Sequence, residues 1–363
     1  MKSEGLIVIS EKEFIDHLSS RKFLLVLSII LIVLIIGMIT GSAEYNEEIE
    51  AYNEIQAVAT GDIVVFSGYM GFKPSIMTIF ADVGELLASL GAILGIAMGF
   101  DLITREKESK SLKILLSHPI YRDEVINGKA IGGIIALSLA IIITGLISLA
   151  ILLIFGIIPT DEEIFPILLF GIVAFLMIFS YFAIALFMST ISEDSGNSLI
   201  YTLIVFIFLP ILLPVFVANT TIDVIVGDPP EYPEELISEL HSFARSGGSG
   251  SDRSALESNE RWEQYRTEMQ DYWNKRQSLS DFITLLSPTS NFEYIINSLS
   301  GIGGNMASVS HGSFSYADTS EETKDPLGIL GDLLKNIIAL IAIPAIFFGA
   351  SYVKFMRLDV LNL

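Results

Sequence analysis

Residues 105–129 read REKESKSLKILLSHPIYRDEVINGK. Charge comes first, then an apolar ridge, then Pro119 and a second charged turn. Long apolar runs lie on both sides, Met77–Phe100 before the stretch and Ile131–Ile158 after it. Connections between antiparallel helices usually need only about 2–8 residues. This one is several times longer, so it is expected to do more than reverse the chain.

The flanking runs decide the fold class. Crossing a bilayer takes about 20 mostly apolar residues, each rising roughly 1.5 Å in a helix. Six runs qualify: Phe23–Thr40, Met77–Phe100, Ile131–Ile158, Ile164–Thr190, Leu199–Asn219 and Leu333–Val353. The composition agrees, with 52% hydrophobic residues and a mean hydropathy of +0.61. The expected fold is an all-α polytopic membrane protein with six transmembrane helices. The first run is longer than a signal peptide's apolar segment of about 7–15 residues, so it reads as a permanent span.

Lys and Arg in short loops set the orientation. Residues 1–22, 101–130 and 354–363 hold four, six and two of them, whereas the short loops 41–76 and 159–163 hold only Lys73. Both termini and the 105–129 stretch are therefore expected in the cytoplasm, with the protein multi-pass in the cell membrane. The net charge of −21 then falls almost wholly outside, where its plain reading is solubility. So acidic a chain does not suit nucleic acid. With no cysteine, there are no disulfides and no thiol chemistry.

The organisation follows. Residues 1–22 form a cytoplasmic N-terminus, in which Ser10 and Glu13 have capping-box spacing. They predict a short interfacial helix over Glu11–Ser20, with Phe14, Ile15 and Leu18 on one face. Residues 23–219 hold spans one to five and the cytoplasmic loop 101–130. Residues 220–332 form an extracytoplasmic region, expected as a small, mostly helical cap. Its Gly/Ser stretch ARSGGSGSDRS reads as linker, and Trp262, Tyr265, Met269, Tyr272 and Trp273 have helical spacing. Residues 333–363 hold the sixth span and a cytoplasmic tail.

Within 105–129, Leu112, Leu115 and Leu116 line one helical face, and Pro119 ends that helix and suits the start of the next. Glu106, Lys107 and Glu108, then this ridge, then Pro119, Arg122, Gly128 and Lys129 resemble the coupling region of ABC-2 type ABC transporter permeases. Lys110 and Ser111 stand where that family usually carries Gly-Thr. KEFIDHLSSRKF resembles the family's N-terminal interfacial helix, and Asp281–Gly301 resembles its outer segment before the last span.

The resemblance implies a permease subunit forming half of a translocation pathway, paired with a second copy or a paralogue. A separate ABC ATPase would bind the cytoplasmic loop through Glu106, Lys107, Glu108, Leu112, Leu115, Leu116, Pro119 and Arg122. This chain would bind no cofactor; ATP and Mg would belong to the ATPase. An extracytoplasmic accessory protein is a further implied partner. The absence of a G-x-x-x-x-G-K-[ST] loop agrees, since GKAIGG lacks both spacing and hydroxyl. The alternative is a membrane-anchored scaffold or receptor, which leaves the elaborate inner loop unexplained.

Smaller signals remain. Gly91, Gly95 and Gly99 recur every four residues and predict a close helix contact, within the chain or across a dimer. Asp82 and Glu85 lie in the outer third of the second span, as an interfacial pair or as the mouth of a transport path. Pro210, Pro214 and Pro344 are expected to break or kink their spans. The four histidines show no ligand spacing, so no metal site is expected.

Overall fold

The computed structural model describes residues 2–59, 74–111, 121–216, 225–231, 260–300 and 326–357. Among these every regular element is helical: α1 (Lys2–Ser19), α2 (Arg21–Ala59), α3 (Ile76–Gly99), α4 (Thr104–Glu108), α5 (Arg122–Ile154), α6 (Asp161–Ile191) and α7 (Ser195–Ile207). A π-helical turn over Phe208–Leu212 leads into α8 (Leu213–Phe216), followed by α9 (Glu260–Thr284), α10 (Pro288–Leu299) and α11 (Pro326–Met356). Six helices among the described residues are long and apolar enough to cross a membrane, at 21–54, 76–108, 122–154, 161–191, 195–212 and 333–356. They match the six expected runs.

Local chemistry sets the helix ends. Ser75 caps α3 by accepting from the Met77 amide at 3.2 Å. Thr160 and Glu163 cap α6, with the Thr160 amide and hydroxyl both donating to Glu163 Oε2 at 2.8 Å. α5 stops at Gly156, where φ is +76° and the Ile157 amide bonds the Leu152 carbonyl at 2.9 Å. That is a Schellman closure, which favours glycine at its left-handed position.

The chain divides into two compact units, residues 1–207 with 288–363, and residues 208–287. In the first, α6 is the central helix and packs against α3, α11, α7 and α10. It buries Tyr181, Phe182, Ile184, Ala185 and Leu186 at 1% exposure or less. Polar ties fix its neighbours: Thr190 to Ser351 at 2.7 Å and Tyr181 to Thr289 at 2.7 Å.

The glycine stripe of α3 faces α6. A Cβ on Gly99 would meet the Phe182 carbonyl oxygen at 2.7 Å, and one on Gly95 would collide with the carbonyl of Ile178. The close contact therefore lies within the chain. Gly128 and Gly132 of α5 admit α1 in the same way, against Ile9 and the Ser10 carbonyl. Those glycines of GKAIGG thus serve helix approach.

Several expectations need correction. The interfacial helix runs from Lys2 to Ser19, so Ser10 is interior to it and caps nothing. Its packed face is Ile9, Ser10, Glu13 and His17, whereas Ile15 is 52% exposed. Glycines on α5 accept a partly polar face because Lys129 stands between them to meet Glu13. Pro344 lies inside α11 without ending it, while the span containing Pro210 does turn π-helical there.

α10 falls within the segment assigned to the outer region, yet it packs among α3, α6 and α11. Thr289 touches Tyr181, which lies about 30 Å along α6 from Asp161 at roughly 1.5 Å per residue. The first turn of α10 therefore reaches well inside the helical layer. At 12 residues it is too short to register as a span.

Candidate functional site

The five-residue helix α4 begins the 105–129 stretch and sits at the end of the bundle that carries α1. Each side chain of Glu106-Lys107-Glu108 has a separate task. Glu106 Oε1 lies 2.8 Å from Lys129 Nζ on α5. Lys107 Nζ donates to the Thr190 and Ser192 carbonyls at 2.7 and 2.8 Å, capping the C-terminus of α6. The placement puts a cation on the negative end of that helix. Glu108 Oε1 accepts from the Ser195 amide at 2.6 Å, at the positive N-terminus of α7. Thr104 adds buried bonds, its amide donating to Ser189 Oγ at 3.1 Å.

Lys129 extends the junction to α1. Its side chain is 2% exposed and its ammonium also donates to Glu13 Oε1 at 2.7 Å, with Glu13 equally buried. One buried cation thus joins carboxylates from α1 and α4. Burial pushes the Glu13 carboxyl up, but the charge and hydrogen bond of Lys129 outweigh it and hold it below the ordinary carboxylate value. A buried ion pair gives modest net stability, whereas removing one partner is costly. Its value here lies in fixing geometry between helices.

Alongside, Lys22 of α2 pairs with Asp101 at 2.7 Å and lies 4.4 Å from the Phe100 ring centroid. Arg122 donates to the Met356 carbonyl at 3.3 Å, tying the start of α5 to the end of α11. The ends of all six span helices are therefore tied at this junction by Lys22, α4, Lys129 and Arg122.

Of the residues assigned to a coupling surface, Glu106, Lys107, Glu108 and Arg122 all make these ties. Leu112, Leu115, Leu116 and Pro119 lie outside the described residues. Asp82 and Glu85 project from the exposed side of α3 near its other end. Glu44 on α2 lies within electrostatic reach of Asp82, and Glu293 on α10 within reach of Glu85. Among the described residues no group of His, Cys, Asp and Glu is arranged to hold a metal ion.

Sequence reasoning missed Glu13 as a partner of Lys129, because its spacing from Ser10 gave a ready local role. A usable signal was the lysine itself, flanked by Gly128 and Gly132 at the head of an apolar run. Such a lysine needs a carboxylate from elsewhere.

A family profile described as "ABC-2 family transporter protein" matches residues 7–360. The chain belongs to the ABC-2 transporter family. Comparison with curated proteins gives no match. Membership makes the chain a membrane permease subunit of an ABC transporter, and the α4 junction is a feature of that subunit.

Proposed function

We propose that this permease is half of an export pathway driven by a separate ATPase, which docks on the cytoplasmic 105–129 loop. ATP and Mg²⁺ bind to that ATPase. A second copy or paralogue completes the pathway, both termini face the cytoplasm, and an outer accessory protein is a further partner. The carboxylates Asp82, Glu85, Glu44 and Glu293 stand at the outer mouth.

The observation that carries this reading is the reach of α4. Through Glu106, Lys107 and Glu108 it holds α5, α6 and α7 at once, and through Lys129 it holds α1. A push on the loop that follows α4 is thereby delivered to several helix ends together. The bias of Lys and Arg toward this side supports its cytoplasmic placement.

Co-purification in mild detergent tests the reading: a soluble Walker A subunit should accompany the full chain. Leu115→Asp with Leu116→Asp should abolish that association while membrane insertion persists. Retained association in the double variant would remove the ridge as the docking site.

A further inference from the structure

A second feature of the α1 end lies beside the helix ties and shares Glu13, Lys22 and Asp101 with them. A small cavity of about 40 Å³ lies between α1, the first turn of α2 and the corner joining α3 to α4. Glu13, Asp16 and His17 form one wall, Lys22 and Arg105 another, and Phe23 and Met98 close it toward the apolar layer. Two polar atoms of the acidic wall have no partner: Glu13 Oε2 and His17 Nε2, on side chains only 2% and 9% exposed. Buried polar atoms are rarely left so.

We propose that this cavity binds the primary-ammonium headgroup of a zwitterionic phospholipid. Glu13 Oε2 is an acceptor, and so is His17 Nε2 in the tautomer with its proton on Nδ1, so a donor group satisfies both. Lys129 offsets Glu13, and Lys22 offsets Asp101 at 2.7 Å. With Asp16 on one side and Arg105 on the other, the walls present both signs of charge, an arrangement that favours a zwitterion over a bare ion. Asp16 also lies 3.7 Å from Lys12 and is 43% exposed, so it guards the mouth.

Size sets the headgroup. At about 10–15 Å³ of probe-occupied space per water, the cavity holds roughly three water-sized groups. An ammonium with two methylenes fits that space. A trimethylammonium is larger and has no N–H for Glu13 or His17. The phosphate then sits at the rim beside Lys22 and Arg105, and the acyl chains lie outside the cavity, which the buried Phe23 and Met98 close toward the apolar layer. The proposal rests on the helices spanning a membrane and not on ATPase docking, so either can fail alone.

The test uses the full chain in nanodiscs of phosphatidylethanolamine, phosphatidylcholine and phosphatidylglycerol with identical acyl chains. Retained lipid per protein is then read by native mass spectrometry after delipidation. Phosphatidylethanolamine should be enriched about tenfold over phosphatidylcholine, the scale of a charge-assisted hydrogen bond gained or lost. His17→Leu should bring the ratio close to one. Asp16→Asn, at an exposed position that leaves the fold intact, should lower it severalfold. Equal retention of the two lipids by the unaltered protein overturns the proposal, as does a ratio unmoved in both variants. Free ethanolamine should not displace the lipid at millimolar concentration; displacement would assign the cavity to a soluble amine instead.

Discussion

Lys129 Nζ lies 2.7 Å from Glu13 Oε1, across 116 residues of sequence, with both side chains 2% exposed. This contact pins α1 onto a span and, through Glu106, onto the start of the 105–129 loop. Lys129→Met removes the shared cation from the buried Glu13 and the part-buried Glu106 and should destabilise the protein by about 3–5 kcal/mol. Adding Glu13→Leu and Glu106→Leu should recover most of that loss, because an apolar cluster replaces the ions. Thermal unfolding in detergent measures both. In the proposed ATPase complex, the triple variant should hydrolyse ATP with weakened coupling to transport; unchanged coupling would confine the triad to a structural role.

The glycines of α3 should not be equivalent. Gly95→Ala and Gly99→Ala press a methyl on α6 backbone carbonyls, whereas Gly91→Ala meets the far end of the Ile178 side chain at 2.9 Å. Overpacking costs about 1–3 kcal/mol where the neighbour cannot move. The first two variants should lose folded yield in size-exclusion profiles, and Gly91→Ala should lose much less. Equal losses would contradict the α3–α6 geometry.

Lys110 has φ of +56°, in the left-handed region that side chains other than glycine seldom occupy. Lys110→Gly should relieve strain of about 1 kcal/mol, partly offset by a more flexible unfolded chain. A melting temperature equal to or above the parent's is expected; a clear decrease would show that the lysine side chain has a partner worth more than the strain.

His17 gives a pH signature. Burial holds its imidazole below the ordinary value of 6.5, against the carboxylates of Glu13 and Asp101 and with the cations Lys129 and Arg105 adding to the shift. The unfolded chain therefore takes up the proton first as pH falls. The stability from a neutral His17 is complete above 6.5 and is lost as pH drops below it through the folded value. Glu13 acts in the same direction lower down, below its ordinary 4.5. His17→Gln should flatten the melting temperature as the pH falls below about 6.5. An unchanged slope would place the titrating group elsewhere.

Sequence alone determined the layer. Uninterrupted apolar runs such as Ile164–Thr190 have no stable home but hydrocarbon or a core that a chain of this size cannot build, so six spans could be counted directly. The ordered charged, apolar and proline signals of 105–129 pointed to the family. Tertiary structure decided which charges meet. Glu13 and Lys129 are far apart in the chain, and a buried ion pair leaves no periodic trace in either helix. The packed position of α10 was not legible for a related reason, since a short helix with Asn291, Thr289 and Glu293 looks soluble until Tyr181 and Asn336 supply its polar partners. Periodicity reports which solvent a helix faces, and only the packed arrangement reports which neighbour satisfies its polar groups.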